Sequence, residues 1–361
     1  MDYWLTSGGG WDFDRYRSDF SWDPSDARTS QSGLAELEPL RSRTTEAWDE
    51  QAAQIRRALD AVLGAGRLDP PQPDLRVEED EETASYRRLK VSYGVEPDER
   101  VPAYLLVPHS PRRNPAPAML CLHQTVPWGK REPCGLDGDP ELALADELAR
   151  RGYVCLAPDA ICFGERYRAG QPYAHYGDAV AFFGRHPEWS VMGKMAWDTS
   201  RAIDALCSLR EVDPTRIGCI GHSHGAYGTL FAMLGDTRIR VGVQSCGFTA
   251  LRSDPAPERW WRRTALLPRL GWFERDLREA PFDFHHLLAL VAPRAQFIAC
   301  ALDDDIFPNT SNIGWIEAEV RQVYRVLGEP DALAVEAYAG GHAFPVGVRA
   351  RAYDFIDSVV G

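Results

Sequence analysis

Serine, aspartate and histidine occur in this chain in an order that suits nucleophilic catalysis. Ser223 lies in Gly221-His-Ser-His-Gly225, directly after a short apolar run. Glycines two residues before and two after a serine are typical of a strained strand-to-helix turn, because a side chain at either place would collide with the adjoining elements. A serine hydroxyl becomes nucleophilic when a histidine accepts its proton and a carboxylate orients that histidine. The chemistry indicated is acyl transfer.

Candidates for the acid and the base follow two later apolar runs. Ala295–Ala301 is typical of a buried strand, and it is followed after one residue by the three aspartates Asp303–Asp305. A last strand, Leu333–Tyr338, leads into a Gly-Gly-His loop that carries His342. The chain order serine, acid, histidine is that of hydrolases whose catalytic residues each follow a strand of the sheet. The residues alone leave the choice among the three aspartates open.

These motifs resemble the α/β-hydrolase superfamily, and its dienelactone-hydrolase and acetylxylan-esterase-like branch in particular. The Gly-x-Ser-x-Gly turn, the Asp-x-Ile-x-Pro phrase at 304–308 and the Gly-Gly-His loop carry the likeness. Leu122-His-Gln-Thr125 and the phrase from Pro281 to Arg294 add to it. The resemblance covers about residues 80–361. In that branch the acid lies four residues before the loop proline, which implies Asp304.

The resemblance implies a serine esterase that needs no cofactor and no metal. Ser223 would attack the acyl carbon, His342 would take and return the proton, and Asp304 would orient His342. Small acyl esters, acetylated sugars included, are the implied substrates. The same triad can also hydrolyse a C–C bond or an amide, or transfer the acyl group to an alcohol. A non-catalytic binding protein on the same fold is a third interpretation, which the three filled triad positions disfavour.

The oxyanion of an ester's tetrahedral intermediate needs two backbone N–H donors that are fixed in advance. One is expected to be the N–H of His224, the residue after the nucleophile. The other should come from the loop after the third strand, which begins at His123, and here Thr125 is preferred over Gln124. Four aromatic residues are candidates for substrate contacts: Trp128, Phe163, Trp197 and Trp260.

Strands and helices alternate from residue 84, which predicts a mostly parallel eight-stranded sheet with helices on both faces. The eight strand candidates are Tyr86–Tyr93, Val101–Val107, Ala118–His123, Tyr153–Ala157, Ile217–Gly221, Val241–Ser245, Ala295–Ala301 and Leu333–Tyr338. We expect a catalytic domain over 84–361, with a cap-like insertion at 247–285 after the sixth strand. Residues 1–83 would form an aromatic N-terminal arm, a helix over 45–63 and a linker from residue 66.

Composition excludes some partners. The net charge is −13, with 53 acidic and 40 basic side chains, so the chain lacks the basic face that a nucleic-acid-binding protein needs. The eight cysteines form no metal-ligand spacing and fall mostly in apolar runs, which predicts reduced structural thiols. No signal-peptide pattern or membrane-length apolar run occurs, so we expect a cytoplasmic enzyme with a small-molecule ester as its partner. The aromatic arm is compatible with a homo-oligomer.

Overall fold

The computed structural model describes residues 39–41, 43–64, 70–167, 182–261, 266–307 and 312–361. The aromatic residues of the predicted N-terminal arm lie outside these ranges, as does the proline of the acid loop. Among the described helices, none combines the length and the apolar character that crossing a membrane requires.

A nine-stranded sheet forms the centre of the described part of the chain. Its strands are β1 (Arg76–Glu82), β2 (Tyr86–Glu96), β3 (Glu99–Pro108), β4 (Ala116–Leu122), β5 (Val154–Pro158), β6 (Val212–His222), β7 (Ile239–Ser245), β8 (Ala295–Ala301) and β9 (Leu333–Tyr338). Their order is β1-β2-β3-β5-β4-β6-β7-β8-β9. The pairs β1–β2, β2–β3 and β3–β5 are antiparallel, and the five other pairs are parallel. The expected mostly parallel sheet is confirmed.

The sheet has one strand more than the eight expected. β1 lies in the segment predicted to be a linker, and all seven of its residues are exposed. Apolar periodicity could not reveal it, because its sequence is Arg-Val-Glu-Glu-Asp-Glu-Glu. Antiparallel pairing with β2 holds it, and the cross-strand ion pairs Asp80–Arg87 and Glu81–Arg88 add to that pairing. The division of the chain at residues 83 and 84 stays a prediction.

Helices cover both faces of the sheet, as expected. The helices that the structure describes in full are α1 (Thr45–Leu63), α2 (Leu144–Arg150), α3 (Val191–Cys207), α4 (His224–Gly235), α5 (Phe284–Ala289), α6 (Ile313–Val326) and α7 (Val346–Val360). The apolar residues of α2 and α7 pack in the core on one face. Those of α1, α3, α4, α5 and α6 pack in the core on the other. The short helix α5 was not predicted, because its six residues are too few to show a helical period.

The helix predicted over residues 45–63 is confirmed as α1. The Thr44 hydroxyl accepts from the Ala47 N–H at 3.2 Å, and Gly64 ends the helix with φ 65°. That left-handed conformation favours glycine at a helix end. Trp48, Ile55 and Leu59 are buried in the core that also contains apolar residues of α3 and α4.

The cap-like insertion consists of short 3₁₀ turns in its described part. Trp260, Leu267 and Phe282 are fully buried, so this segment packs onto the domain. None of the eight cysteines, all within the described residues, forms a disulfide, and seven of them are buried.

Candidate active site

Ser223 occupies a sharp turn between β6 and α4. Its backbone has φ 54° and ψ −116°, a conformation that costs energy for a residue with a side chain. Its N–H donates to the Ser245 carbonyl of β7 at 2.8 Å. A Cβ at Gly221 would lie 2.2 Å from the Gly225 carbonyl carbon, and one at Gly225 would lie 2.2 Å from the Leu122 carbonyl oxygen. The two glycines therefore let strand and helix approach closely enough to form the turn.

Asp304 follows β8 and is 3% exposed. Its Oδ1 accepts the N–H groups of Ile306 and Phe307 at 2.8 and 2.9 Å, and its Oδ2 pairs with His342 Nδ1 at 2.8 Å. Burial by itself would raise the pKa of Asp304, but the charge and hydrogen bond of His342, with those two N–H groups, lower it to about 2. The carboxylate is therefore ionised and can orient an imidazole.

The two aspartates next to Asp304 in the chain, Asp303 and Asp305, differ from it in burial. Asp303 is exposed, and its carboxylate accepts the Gly340 N–H at 3.1 Å while its own N–H donates to the Gly340 carbonyl at 3.0 Å. It thereby ties the acid loop to the loop that carries His342. Asp305 is half-buried. Of the three aspartates, the structure pairs Asp304 with His342, and its catalytic role stays a prediction.

The His342 ring lies between the acid and another histidine. Its Nε2 is buried and has no hydrogen-bond partner among the described residues, so it is not bonded to Ser223 Oγ in this structure. Such catalytic hydrogen bonds often form only once substrate is bound. The His222 ring lies 4.7 Å from the His342 ring, and its Nδ1 bonds Ser245 Oγ at 3.0 Å. Burial and the neighbouring His342 keep the pKa of His222 well below its usual value, so His222 is neutral.

The loop after β4 lies against the start of α4. The rings of His123 and His224 stack with centroids 5.7 Å apart, and His224 Nδ1 approaches the His123 carbonyl oxygen at 3.4 Å. The N–H of His224 is in the first helical turn, where no intrahelical acceptor exists. Gln124 and Thr125, the candidates for the second oxyanion donor, follow His123 directly. The structure therefore brings the predicted donor segments together, and their roles stay predictions.

Buried carboxylates support this loop. Glu132 Oε1 accepts the Gln124 side-chain amide at 3.0 Å and the Asp139 N–H at 3.2 Å. Burial raises the pKa of Glu132 to about 7. Asp159, which follows β5, accepts the Lys130 N–H at 2.8 Å and the Lys130 ammonium at 2.7 Å. These contacts fix the loop on either side of Trp128. Neither Glu132 nor Asp159 is among the site residues that the sequence analysis predicts.

A row of aromatic side chains, called the aromatic wall, runs from the start of α4 at His224 to His342. The Phe163 ring packs on the His224 ring with centroids 4.7 Å apart. The Tyr227 ring lies between the rings of His224 and Trp260, with its centroid 5.2 Å from each. The ring centroids of Trp260 and Phe307 are 6.3 Å apart, and those of Phe307 and His342 are 6.0 Å apart. Two of the four predicted substrate residues, Phe163 and Trp260, thus belong to this wall, and both are buried.

The other two predicted substrate residues are placed differently. The Trp128 indole nitrogen is buried and has no hydrogen-bond partner among the described residues. Trp197 packs against β2 instead of the triad, because its indole nitrogen donates to the Val95 carbonyl at 2.7 Å and the Arg201 guanidinium lies 5.3 Å from its ring. Trp197 lies on α3, and its role as a substrate contact stays a prediction.

Cys246 is a neighbour of Asp304 and His342 that the sequence analysis does not name as a site residue. It follows β7 with φ 51°, and its sulfur lies 3.2 Å from the Tyr338 hydroxyl. Ligand atoms of Cys246, Asp304 and His342 all lie within 4.8 Å of one another, a spacing that could hold a metal ion. Asp304 and His342 are, however, already paired with each other. The position directly after a strand was the signal that could have identified Cys246.

Comparisons with known proteins agree with this architecture. A family model described as "Glucuronyl esterase, fungi" matches residues 161–328, a stretch that contains Ser223 and Asp304 and ends before His342. "Putative hydrolase YtaP" of Bacillus subtilis is 29% identical over 311 residues, which are 84% of this chain and 98% of the relative. A 4-O-methyl-glucuronoyl methylesterase of Schizophyllum commune is 27% identical over 178 residues, 45% of each chain.

Solved structures give the same fold. A glucuronoyl esterase from Solibacter usitatus superposes with a TM-score of 0.69 at 19% identity, covering 90% of this chain and 98% of that one. A structure titled as a putative acetyl xylan esterase from Bacteroides fragilis gives a TM-score of 0.65 at 20% identity, covering 88% and 87%. The chain therefore has the α/β-hydrolase fold of these esterases, and its relatives support a carboxylic ester hydrolase.

Proposed function

We propose that the protein cleaves a carboxylic ester through an acyl-enzyme formed on Ser223, with His342 as general base and Asp304 as the acid that orients it. One observation carries the proposal: the protein combines an Asp304–His342 pair, whose Oδ2 and Nδ1 atoms are 2.8 Å apart, with a serine at a strand-to-helix turn whose φ is positive, at 54°. Strain of this kind is typical of sites where the backbone presents a reactive side chain.

The residues divide the reaction among themselves. Ser223 Oγ attacks the acyl carbon while His342 Nε2 accepts its proton, and the imidazolium is stabilised by Asp304. The N–H groups of His224 and of Thr125, or of Gln124 in its place, bind the oxyanion. His342 then returns the proton to the leaving alcohol, and a water molecule activated by the same base releases the acid.

For the substrate, we propose an ester of a carbohydrate, with a uronic acid as the acyl group. The support is the family model named for glucuronyl esterases and the curated relatives named 4-O-methyl-glucuronoyl methylesterases. An acetylated sugar, which the acetyl xylan esterase likeness suggests, places the carbohydrate on the alcohol side. Methyl glucuronate and acetylated xylose, tested side by side with product analysis, separate these two. Release of acetate without release of glucuronic acid would overturn the uronoyl assignment.

The catalytic proposal is tested at Ser223 and His342. Changing either to alanine should lower kcat by about 10⁴–10⁶, and the double variant should be little worse, because the two residues act as a unit. A fluorophosphonate probe should label the wild type and fail on Ser223→Ala. Ser358→Ala, an exposed serine on α7, is the matched control and should keep both labelling and activity. A Ser223→Ala variant that retains more than about a tenth of the activity would exclude the mechanism.

We further propose a cytoplasmic location and a small-molecule partner. Cell fractionation tests the first, and light scattering on the purified chain tests whether it forms the homo-oligomer that the aromatic arm allows.

A further inference from the structure

The insertion between β7 and α5 places one arginine inside the protein, next to the predicted acid. Arg259 is 4% exposed, and its guanidinium lies 5.1 Å from the Phe307 ring. Within the insertion it donates to Asp254 Oδ1 and to the Ala256 carbonyl, both at 3.1 Å. Its other terminal nitrogen donates outside the insertion, to the Ile306 carbonyl.

That carbonyl belongs to the peptide group that orients the acid. The Ile306 carbonyl and the Phe307 N–H are the two ends of one planar peptide, and the Phe307 N–H donates to Asp304 Oδ1 at 2.9 Å. A charged donor on the oxygen polarises this group and strengthens the hydrogen bond that its N–H makes. Oδ2 of Asp304 remains for His342 Nδ1 at 2.8 Å. Consecutive contacts thus join Arg259 to the predicted base.

We propose that Arg259 is a positioning residue for the triad: it holds and polarises the Ile306–Phe307 peptide, which in turn aims Asp304 at His342. The inference rests on the proposed function, and it assigns the insertion a role in catalysis besides any cover that it provides. The buried carboxylate of Asp254 forms an ion pair with the Arg259 guanidinium and so fixes its position.

The variants must separate positioning from simple destabilisation. Removing Arg259 alone would leave Asp254 as an uncompensated buried charge and could unfold the protein, so the main variant is Arg259→Met with Asp254→Leu, which removes both charges. Arg259→Lys is the conservative variant, because an ammonium can still donate to the Ile306 carbonyl. Arg252→Met is the matched control, since Arg252 lies in the same insertion but donates to carbonyls of residues 277 and 280, inside the insertion.

Two readouts distinguish the roles. We expect kcat of the double variant to fall by about 10- to 100-fold with KM changed by no more than about twofold, because a slightly misplaced acid affects the chemical step and not binding. The downfield proton resonance of the His342 Nδ1–H should shift or broaden. Arg259→Lys should recover part of kcat, and Arg252→Met should behave as the wild type.

The result that overturns the proposal is a folded double variant with wild-type kcat and an unchanged resonance, or an equal loss in Arg252→Met. The resonance is measured without substrate, so it tests Arg259 even if the proposed ester chemistry fails. Activity retained by Ser223→Ala would refute the proposed function and leave the resonance result standing.

Discussion

Asp304 differs from the aspartates on either side by its burial and by its partner. It is 3% exposed and bonded to His342, whereas the Asp303 side chain is exposed and bonded to the Gly340 N–H. Asp304→Asn should keep the shape but favour the wrong histidine tautomer, a defect of about 10⁴ in turnover in the serine-protease example of the same substitution. Turnover of the purified variant at one pH measures it.

The same change at the two neighbours provides the control. Asp303→Asn and Asp305→Asn should each cost no more than about tenfold, because polar substitutions away from the reacting groups usually leave stability within about 0.5 kcal/mol. A larger loss at either neighbour than at Asp304 would refute the assignment and leave the hydrolase chemistry intact.

Glu132 makes stability depend on pH. Its folded pKa is raised by burial from the ordinary 4.5 to about 7, so the folded state binds a proton that the unfolded state has already lost between these values. Stability from this group is therefore complete below about pH 4.5 and is lost as pH rises towards 7, by about 3 kcal/mol in all. Glu132→Gln, which keeps the acceptor for Gln124, should remove this loss.

Urea unfolding at pH 5 and pH 8 measures the effect. Glu132→Gln should unfold at a higher urea concentration than the wild type at pH 8, and the two should be closer at pH 5. Equal midpoints at pH 8 would show that the carboxyl is already ionised in the folded protein without penalty.

At the scale of elements, the close contact between β4 and α4 decides whether the nucleophile and the oxyanion donors meet. Gly225→Ala would bring a Cβ to 2.2 Å from the Leu122 carbonyl oxygen, a backbone atom that must then move. We expect a loss of about 1–3 kcal/mol in stability, as for other overpacked sites, and about 100-fold in kcat because the loop after β4 shifts. Urea unfolding and kinetics on one ester measure both.

Gly314→Ala in α6 is the matched control, because no atom of the described residues lies within 4 Å of the Cβ it would add. It should leave activity unchanged and stability equal or slightly higher, since glycine is a poor helix former. Normal kinetics in Gly225→Ala would show that the loop tolerates displacement.

The sequence predicted those elements whose residues form an apolar pattern, and it missed those that lack one. All eight expected strands exist, and two of them, Ala295–Ala301 and Leu333–Tyr338, have the bounds expected. Ala295–Ala301 is buried throughout, and buried parallel strands are near-continuous apolar runs. Leu333–Tyr338 is an edge strand in which only Leu333 is buried. The acidic edge strand β1 was missed because no apolar pattern marks it. Asp304 could be selected by resemblance, whereas Arg259 and Glu132 could not, because their roles depend on contacts between residues distant in the chain.

At the scale of the whole molecule, α1 is part of the core and not an appendage. Leu59 is fully buried in the core that α1 shares with α3 and α4. Leu59→Ala should therefore cost about 2–5 kcal/mol, as other large-to-small core substitutions do. Turnover per probe-labelled serine should stay near the wild-type value, because the triad is untouched. Gln54→Ala, an exposed position on the same helix, is the control.

Loss of stability in Gln54→Ala equal to that in Leu59→Ala would contradict a specific role of the buried face. An equal loss of turnover per labelled serine would instead connect α1 to the geometry of the site.

The burial of α4 has a consequence for how activity fails on heating. Residues 224–234 are all buried, so their amide hydrogens should exchange with solvent only when the entire protein opens. The insertion, built of short 3₁₀ turns, should exchange through local openings at lower cost. Because the insertion contacts the acid turn, the first such opening releases Asp304 while Ser223 keeps its native turn. On mild heating, the protein should lose activity before the amide hydrogens of α4, the helix after Ser223, exchange with deuterium.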